Sequence, residues 1–327
     1  MHRSIRWIAA VAVIAAGLAT GTAQAAGPST LAWGQVTGLK QSTGNLYWTT
    51  FGADEFGPDS ASLWRASKFN VPGQEALLYR ETRSDRFSFG DVTYAQVGTT
   101  GFYYGYIAAN YYDLGIAQLK RVPLTGGSAT VMKQVTGQIR DVDTDGSFLY
   151  WSDSGGLRRM PIGGGATTTL ASGTAIGEIG LDATRVFYTS GTGVYSRPKA
   201  GGVSTLRGAG ASAITALFVR PAATGTGTVV YWGERNGSVK SRSVGGLVTT
   251  TWQTARIGRT VTSVSNDGYW TLWSDCAAIN TNQCVVVERS PNWIAYVHQG
   301  GVGTDYVQAD AGAIFWGDVS QLRKYTR

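Results

Sequence analysis

Three features of the chain predict an all-β fold of four-stranded antiparallel units set in a ring, a seven-bladed β-propeller. An apolar-aromatic pair followed by small or acidic residues recurs seven times, a basic strand-like segment follows each copy, and Gly, Ser and Thr outweigh charge. Charged residues make up only 15% of the 327, against roughly 25% in typical soluble domains, while 45 Gly supply turns and 11 Trp, 16 Tyr and 10 Phe supply bulk for strands. So many aromatics exclude a disordered chain, and glycines without a period of three exclude a collagen-like one.

Residues 1–25 stand apart. His2, Arg3 and Arg6 form a polar, basic start, residues 7–19 are apolar, and Ala-Gln-Ala ends at Ala25. This is the pattern of a secretory signal peptide cleaved after Ala25. The apolar run is shorter than the ~20 residues that cross a bilayer, so no membrane span is expected after cleavage and the protein is expected outside the cell. Residues 26–327 then form one propeller domain. Ser29-Thr30-Leu31-Ala32-Trp33 reads as a spare fourth strand, because the last repeat stops at Arg327 after its third. Pairing the two closes the ring and removes open sheet edges.

The aromatic marks are Leu46-Tyr47-Trp48-Thr49, Phe102-Tyr103-Tyr104-Gly105, Tyr150-Trp151-Ser152-Asp153, Phe187-Tyr188-Thr189-Ser190, Tyr231-Trp232-Gly233-Glu234, Leu272-Trp273-Ser274-Asp275 and Phe315-Trp316-Gly317-Asp318. Their spacing averages about 45 residues, one propeller blade. Basic segments follow in register, among them Leu63-Trp64-Arg65, Leu157-Arg158-Arg159 and Leu322-Arg323-Lys324. Asp145, Asp182, Asp267 and Asp310 precede four marks by about five residues, where a hairpin joining the first two strands needs a turn former. Each unit therefore reads as strand, Asp/Gly turn, aromatic strand, polar loop, basic strand, Gly-Gly turn and Thr-rich strand.

These units resemble the YWTD repeats of the LDL-receptor class B propellers, and more closely the secreted bacterial propellers related to them. The resemblance covers residues 29–327, with the motif acid present in the copies at 150, 231, 272 and 315. That family is usually six-bladed, whereas seven marks stand here, and the longest spacing, around residues 80–115, is where a six-bladed count would differ. The resemblance implies an extracellular binding platform rather than a particular ligand.

A net charge of +7 invites a nucleic-acid reading, but the positive side chains are dealt out about one per blade, where they can pair with the motif acids or stack on aromatic faces. Only Arg80, Arg83 and Arg86 cluster, so no nucleic-acid partner is expected. Asp141-Val142-Asp143-Thr144-Asp145-Gly146 opens like a calcium loop, yet the position that must hold a bidentate Glu is Ser152. A shorter hairpin calcium site on Asp141, Asp143 and Asp145 is the alternative to a turn with extra carboxylates. The turn is preferred, since Asp182, Asp267 and Asp310 fill the same position without the other acids, and no cofactor is expected. His298 is the one histidine after residue 25, and no nucleophile or zinc motif is present. Cys276 and Cys284, with seven residues between them, read as a disulfide in an exported protein.

What remains are the loops between second and third strands, which share a face with the connections between blades. Acids beside aromatics there suit a sugar, whose ring stacks on Tyr or Trp while carboxylates accept from its hydroxyls, and equally suit a protein partner. The candidate ligand residues are Asp54, Asp59, Tyr111, Tyr112, Asp113, Glu234, Arg235 and Asp275. The expected function is non-catalytic recognition of an extracellular carbohydrate or protein by a monomer. The alternative is a secreted polysaccharide hydrolase or lyase using paired loop acids such as Asp54, Asp59, Asp113 or Asp275.

Overall fold

The computed structural model describes residues 29–52, 59–69, 74–96, 103–221, 227–277, 284–301, 306–310, 312–317 and 321–327. The signal-peptide reading of residues 1–25, Asp54 and the acid Asp318 lie outside them. The described residues form seven four-stranded antiparallel sheets, which settles the blade count at seven. Six blades are built from four consecutive strands each. The seventh takes its outer strand from Ser29–Trp33, which pairs antiparallel with the third strand of that blade, Gln321–Thr326. The expected closure is present.

The inner strands are Gln35–Gln41, Phe87–Gln96, Ile139–Thr144, Ile176–Leu181, Ile214–Pro221, Arg259–Asn266 and Tyr306–Asp310 for blades 1 to 7. The second strands are Asn45–Gly52, Tyr103–Tyr111, Phe148–Asp153, Arg185–Ser190, Thr228–Glu234, Thr271–Ala277 and Ala313–Gly317. Register shows what each motif position does. Its second aromatic is the core: Trp48, Trp151, Trp232, Trp273 and Trp316 are at most 1% exposed, and each faces an apolar inner-strand residue across the pair, Leu39, Val142, Leu217, Val264 and Val307. Burying a side chain of that size contributes on the order of 2–3 kcal/mol.

The third motif position must be small because it meets the next blade. A Cβ on Gly233 would lie 2.2 Å from Val261 of blade 6, and one on Gly317 would lie 2.5 Å from Val36 of blade 1. Where Ser or Thr stands there, the hydroxyl is used across the same joint: Ser152 donates to Gly177 O at 2.6 Å and Thr49 to Gly90 O at 2.7 Å.

Blade 2 corrects the sequence reading in detail. Register equates Tyr106-Ile107 with Tyr150-Trp151, because Tyr106 faces Arg121 as Tyr150 faces Arg159. The mark read at Tyr103 is therefore three residues early, and Tyr103 is half exposed. Two aromatic runs stand close together in this blade, and only the buried one, containing Tyr106, is in register.

The hairpins between first and second strands carry a repeated Asp turn. Asp145 accepts from the backbone N–H of Ser147 and Phe148, Asp182 from Thr184 and Arg185, Asp267 from Tyr269 and Trp270, and Asp310 from Gly312 and Ala313, all between 2.7 and 3.1 Å. Three of these acids also reach a cation that follows the third strand of the next blade: Asp145 to Lys199 at 3.0 Å, Asp310 to Lys68 at 2.5 Å, and Asp267 to Arg327. A latch thus runs from blade to blade in one direction. Removing residues 26–34 takes away the closing strand and is expected to lower the melting temperature by more than 10 °C, read by circular dichroism. An unchanged melting temperature would remove the closure from the account of stability.

Candidate functional site

Two of the loop acids singled out from sequence, Glu234 and Asp275, are part of the frame. Glu234 is fully buried, paired with Lys240 at 2.7 Å and accepting from the N–H of Ala211 at 2.9 Å and the indole N–H of Trp232 at 3.3 Å. Asp275 is fully buried against Arg259 and against Arg256 at 3.1 Å. Asp153 holds the matching place in blade 3, accepting from Trp151 Nε1 at 2.9 Å and pairing with Arg158 at 2.8 Å. The motif acid therefore caps the core tryptophan or neutralises a cation of its own blade. This corrects the reading of Glu234 and Asp275 as loop ligand groups.

Tyr111 is corrected as well. It ends the second strand of blade 2 rather than entering a polar loop, is 2% exposed, stacks on Phe87, and donates to Glu81 at 2.9 Å. Tyr112 is exposed, its hydroxyl 2.9 Å from Ser88 Oγ and its ring 5.8 Å from Arg86. Asp113 accepts from Arg86 N at 2.9 Å. Arg235 is exposed near the disulfide, and Asp59 is partly buried, opposite Arg83 at the start of a third strand. Cys276 and Cys284 are bonded across directly paired strands, as expected. Residues 278–283 between them lie outside the described ones.

Asp141, Asp143 and Asp145 do not converge on one point, so the hairpin calcium site is not formed. Asp145 is spent in its turn, Asp143 pairs with Lys40 at 2.9 Å, and Asp141 accepts from Ile179 N at 2.6 Å. Among the described residues no group of three His, Cys, Asp or Glu is arranged to hold a metal ion.

Two features were missed in the sequence. The first is an aromatic cluster on blade 6, at the face of the first-to-second-strand hairpins. Tyr269 and Trp270 occupy one turn of that blade and Trp293 the next. Their rings meet edge to face at 4.9 and 5.1 Å, and Tyr269 and Trp293 are 69% and 52% exposed, with Tyr296 exposed beyond them. The signal was present in two turn sequences, Asn266-Asp267-Gly268-Tyr269-Trp270 and Ser290-Pro291-Asn292-Trp293, each delivering a Trp to the same end of one blade.

The second is the axial channel, a cavity of about 470 Å³ lined by all seven inner strands. The residues on either side of each apolar inner-strand residue form two tiers. One contains Asp91, Asp141 and Glu178 from blades 2, 3 and 4, and the other contains Lys40 and Asp143. A β-bulge precedes or spans the first of these positions in each of those three blades, between Phe89 and Val92, Ile139 and Asp141, and Ile176 and Ile179. The same bulge recurs in blades 1, 5 and 6, so it is a feature of the ring, and in blades 2, 3 and 4 the residue at that position is a carboxylate.

Burial raises the carboxyl groups of Asp91 and Asp141, and the charge of Asp91 raises Asp141 further. Burial, with Asp141 nearby, pushes Glu178 up to about 8. Lys40 is buried too, but the carboxylates of Asp143 and Asp91 more than offset that cost and hold its ammonium charged.

No family model matches the chain, and no curated protein does. Solved structures do. The extracellular domain of the putative one component system BT4673 from B. thetaiotaomicron aligns over 92% of this chain and 40% of that one, with a TM-score of 0.63 and 11% identity. A chain of the Mitotic Checkpoint Complex aligns over 96% of this chain and 99% of its own, with a TM-score of 0.64 and 10% identity. YCF48 from Cyanidioschyzon merolae aligns over 92% and 99%, with a TM-score of 0.60 and 11% identity. The shared property is the propeller fold. This chain spans less than half the length of the BT4673 chain. No helix among the described residues is long and apolar enough to cross a membrane.

Two outcomes follow from these geometries. Glu234→Ala leaves Lys240 beside an emptied buried site and is expected to cost about 3–5 kcal/mol in urea unfolding. For pH, Glu178 keeps a proton in the native state that the unfolded chain releases from about 4.5 upward, so its contribution to stability falls as pH rises from about 4.5 through about 8. Glu178→Gln should flatten the melting temperature over that window. The turn acids act with the opposite sign. Despite the upward pull of burial, backbone N–H groups and cations hold Asp145, Asp182 and Asp310 below their ordinary value, so their contribution is lost as pH falls through those lowered values.

Proposed function

We propose that this protein is an exported, non-catalytic binding propeller that recognises an extracellular carbohydrate through the aromatic cluster of blade 6. The observation that carries the reading is the edge-to-face set Tyr269, Trp270 and Trp293, with two of its rings more than half exposed. Edge-to-face contact fixes indole and phenol rings against one another while leaving ring faces open, and the C–H face of a pyranose stacks on such surfaces. Apolar rings of this size gain nothing from water on a monomer, and a concentration of them marks a binding surface. Asn292, exposed in the same turn as Trp293, offers an amide to sugar hydroxyls.

Export is supported by the signal-like residues 1–25, by the disulfide, and by the likeness of the repeats to the YWTD propellers. The site moves from the face expected in the sequence to the opposite one, because Tyr111, Glu234 and Asp275 belong to the frame. The hydrolase or lyase alternative loses Asp275 for the same reason.

Purified protein with its disulfide intact is incubated with insoluble cell-wall and plant polysaccharides, and depletion from solution and release of reducing or unsaturated ends are read together. Depletion without products is expected. Trp293→Ala and Tyr269→Ala should each weaken retention by roughly tenfold or more, and Tyr112→Ala should leave it within twofold, roughly. Product release would replace the reading with the enzyme alternative, and retention that ignores both blade 6 variants would remove the aromatic site.

A further inference from the structure

Cations and exposed apolar side chains gather at one end of the ring. In a four-stranded meander the turn between first and second strands and the turn between third and fourth lie at the same end, so the latched hairpins share a face with the turns that follow the third strands. Every third strand brings a cation to within two residues of that end: Arg65, Arg121, Arg159, Arg197, Arg242, Arg289 and Lys324 in blades 1 to 7.

These are not the cations of the latches. Among the described residues none of the seven forms an ion pair with a carboxylate. Arg65, Arg159, Arg242 and Lys324 donate to backbone carbonyls, and Arg121 lies over the Tyr104 ring at 4.9 Å. The turn acids of this end are matched by other cations, Asp145 by Lys199, Asp182 by Arg185, Asp267 by Arg327 and Asp310 by Lys68. Two further acids, Glu75 and Glu288, fall well short of the seven, and Glu288 itself pairs with Arg327. This end therefore carries a surplus of positive charge. At the opposite end Asp85, Asp153, Glu234 and Asp275 take up Arg83, Arg158, Lys240, Arg256 and Arg259.

The positive end also presents the turn tips Phe69, Val203, Leu247 and Val248, 77% to 91% exposed, from blades 1, 4 and 5. The exposed apolar side chains of the other end, Trp33, Tyr112, Leu114 and Ile257, have no such ring of unpaired cations behind them. Single exposed apolar residues are ordinary, but tips from three blades above a sevenfold ring of charge make a two-part surface. Two residues of strand span roughly 7 Å. Tips entering the boundary between headgroups and acyl chains thus leave the cations at the level of headgroup phosphates. A polysaccharide strand offers nothing to aliphatic tips on separate blades, whereas a bilayer meets all of them at once.

We propose that the hairpin end of the ring docks on an anionic lipid surface, its apolar turn tips inserted and its third-strand cations facing the headgroup phosphates. Docking is peripheral and needs no spanning segment. It goes beyond the carbohydrate reading and depends on blades outside the aromatic cluster.

The test is co-sedimentation of the purified protein, disulfide intact, with vesicles of phosphatidylcholine alone and of phosphatidylcholine mixed with phosphatidylglycerol. The mixed vesicles are expected to carry the protein down, the neutral ones to leave it in solution, and added salt to release it. Leu247→Ser combined with Val248→Ser should weaken binding to the mixed vesicles about tenfold or more, because inserted apolar area is lost. Both side chains are exposed, so the melting temperature and the retention on insoluble polysaccharide should be unchanged, which separates docking from folding and from the blade 6 site. Arg242→Gln combined with Arg289→Gln is a second variant with weakening in the same direction. No sedimentation with mixed vesicles, equal sedimentation with neutral ones, or binding that both variants leave unchanged would overturn the proposal. So would capture by soluble polygalacturonate without capture by vesicles, which assigns the ring of cations to an acidic polysaccharide.

Discussion

A ring of sheets is held by one backbone pairing that no single blade can supply for itself. Ser29–Trp33 lies antiparallel to Gln321–Thr326, so hydrogen bonds between the two ends of the described chain set the circumference. Everything else is fitted to that circumference. With the ring closed, each blade presents one face to each neighbour, the second-strand tryptophans are sealed from water, and the next motif position has room only for Gly, Ala, Ser or Thr. The short inner strands are brought round one axis, where they have no further sheet to pair with. Side chains placed there by bulges are committed to a shared cavity.

Much of this was legible from residue pattern. Second strands are recognisable because a large buried side chain, Trp in five of the seven blades, beside a residue that must be small is an unusual pair of demands to meet at a blade's spacing. The Asp turns were legible for a similar reason, since their carboxylates cap two successive N–H groups at the same point of four hairpins. Blade 2 was misregistered because Tyr103 and Tyr106 both satisfy an aromatic pattern, and only burial separates them.

The functional residues were harder to read. Glu234 and Asp275 look like loop acids along the chain, because a bonded indole N–H and a cation elsewhere in the blade are invisible in one dimension. Asp91 and Glu178 look like stray polar residues in strands. Their place on the channel wall depends on the bulged inner strands of blades 2, 3 and 4, which is a property of the ring and not of any segment. Asp141 was noticed for its neighbours Asp143 and Asp145, when its true neighbours are 50 residues upstream at Asp91 and, downstream, at Glu178 and Ile179.

The latches at the hairpin rim have a consequence for how such a ring can grow. Each joins an acid of one blade to a cation of the next, so a blade has an outgoing charge and an incoming one. Blade 7 owns both, Asp310 outgoing and Arg327 incoming, and blade 4 likewise has Asp182 and Lys199 at the corresponding places. A tandem copy of either would meet its parent with the charges already complementary. A copy of blade 6 would set Asp267 against Pro291, the residue that follows its third strand, and leave the acid without its cation. Duplication of a blade within this ring would thus be filtered by rim electrostatics, and the blades are not interchangeable units.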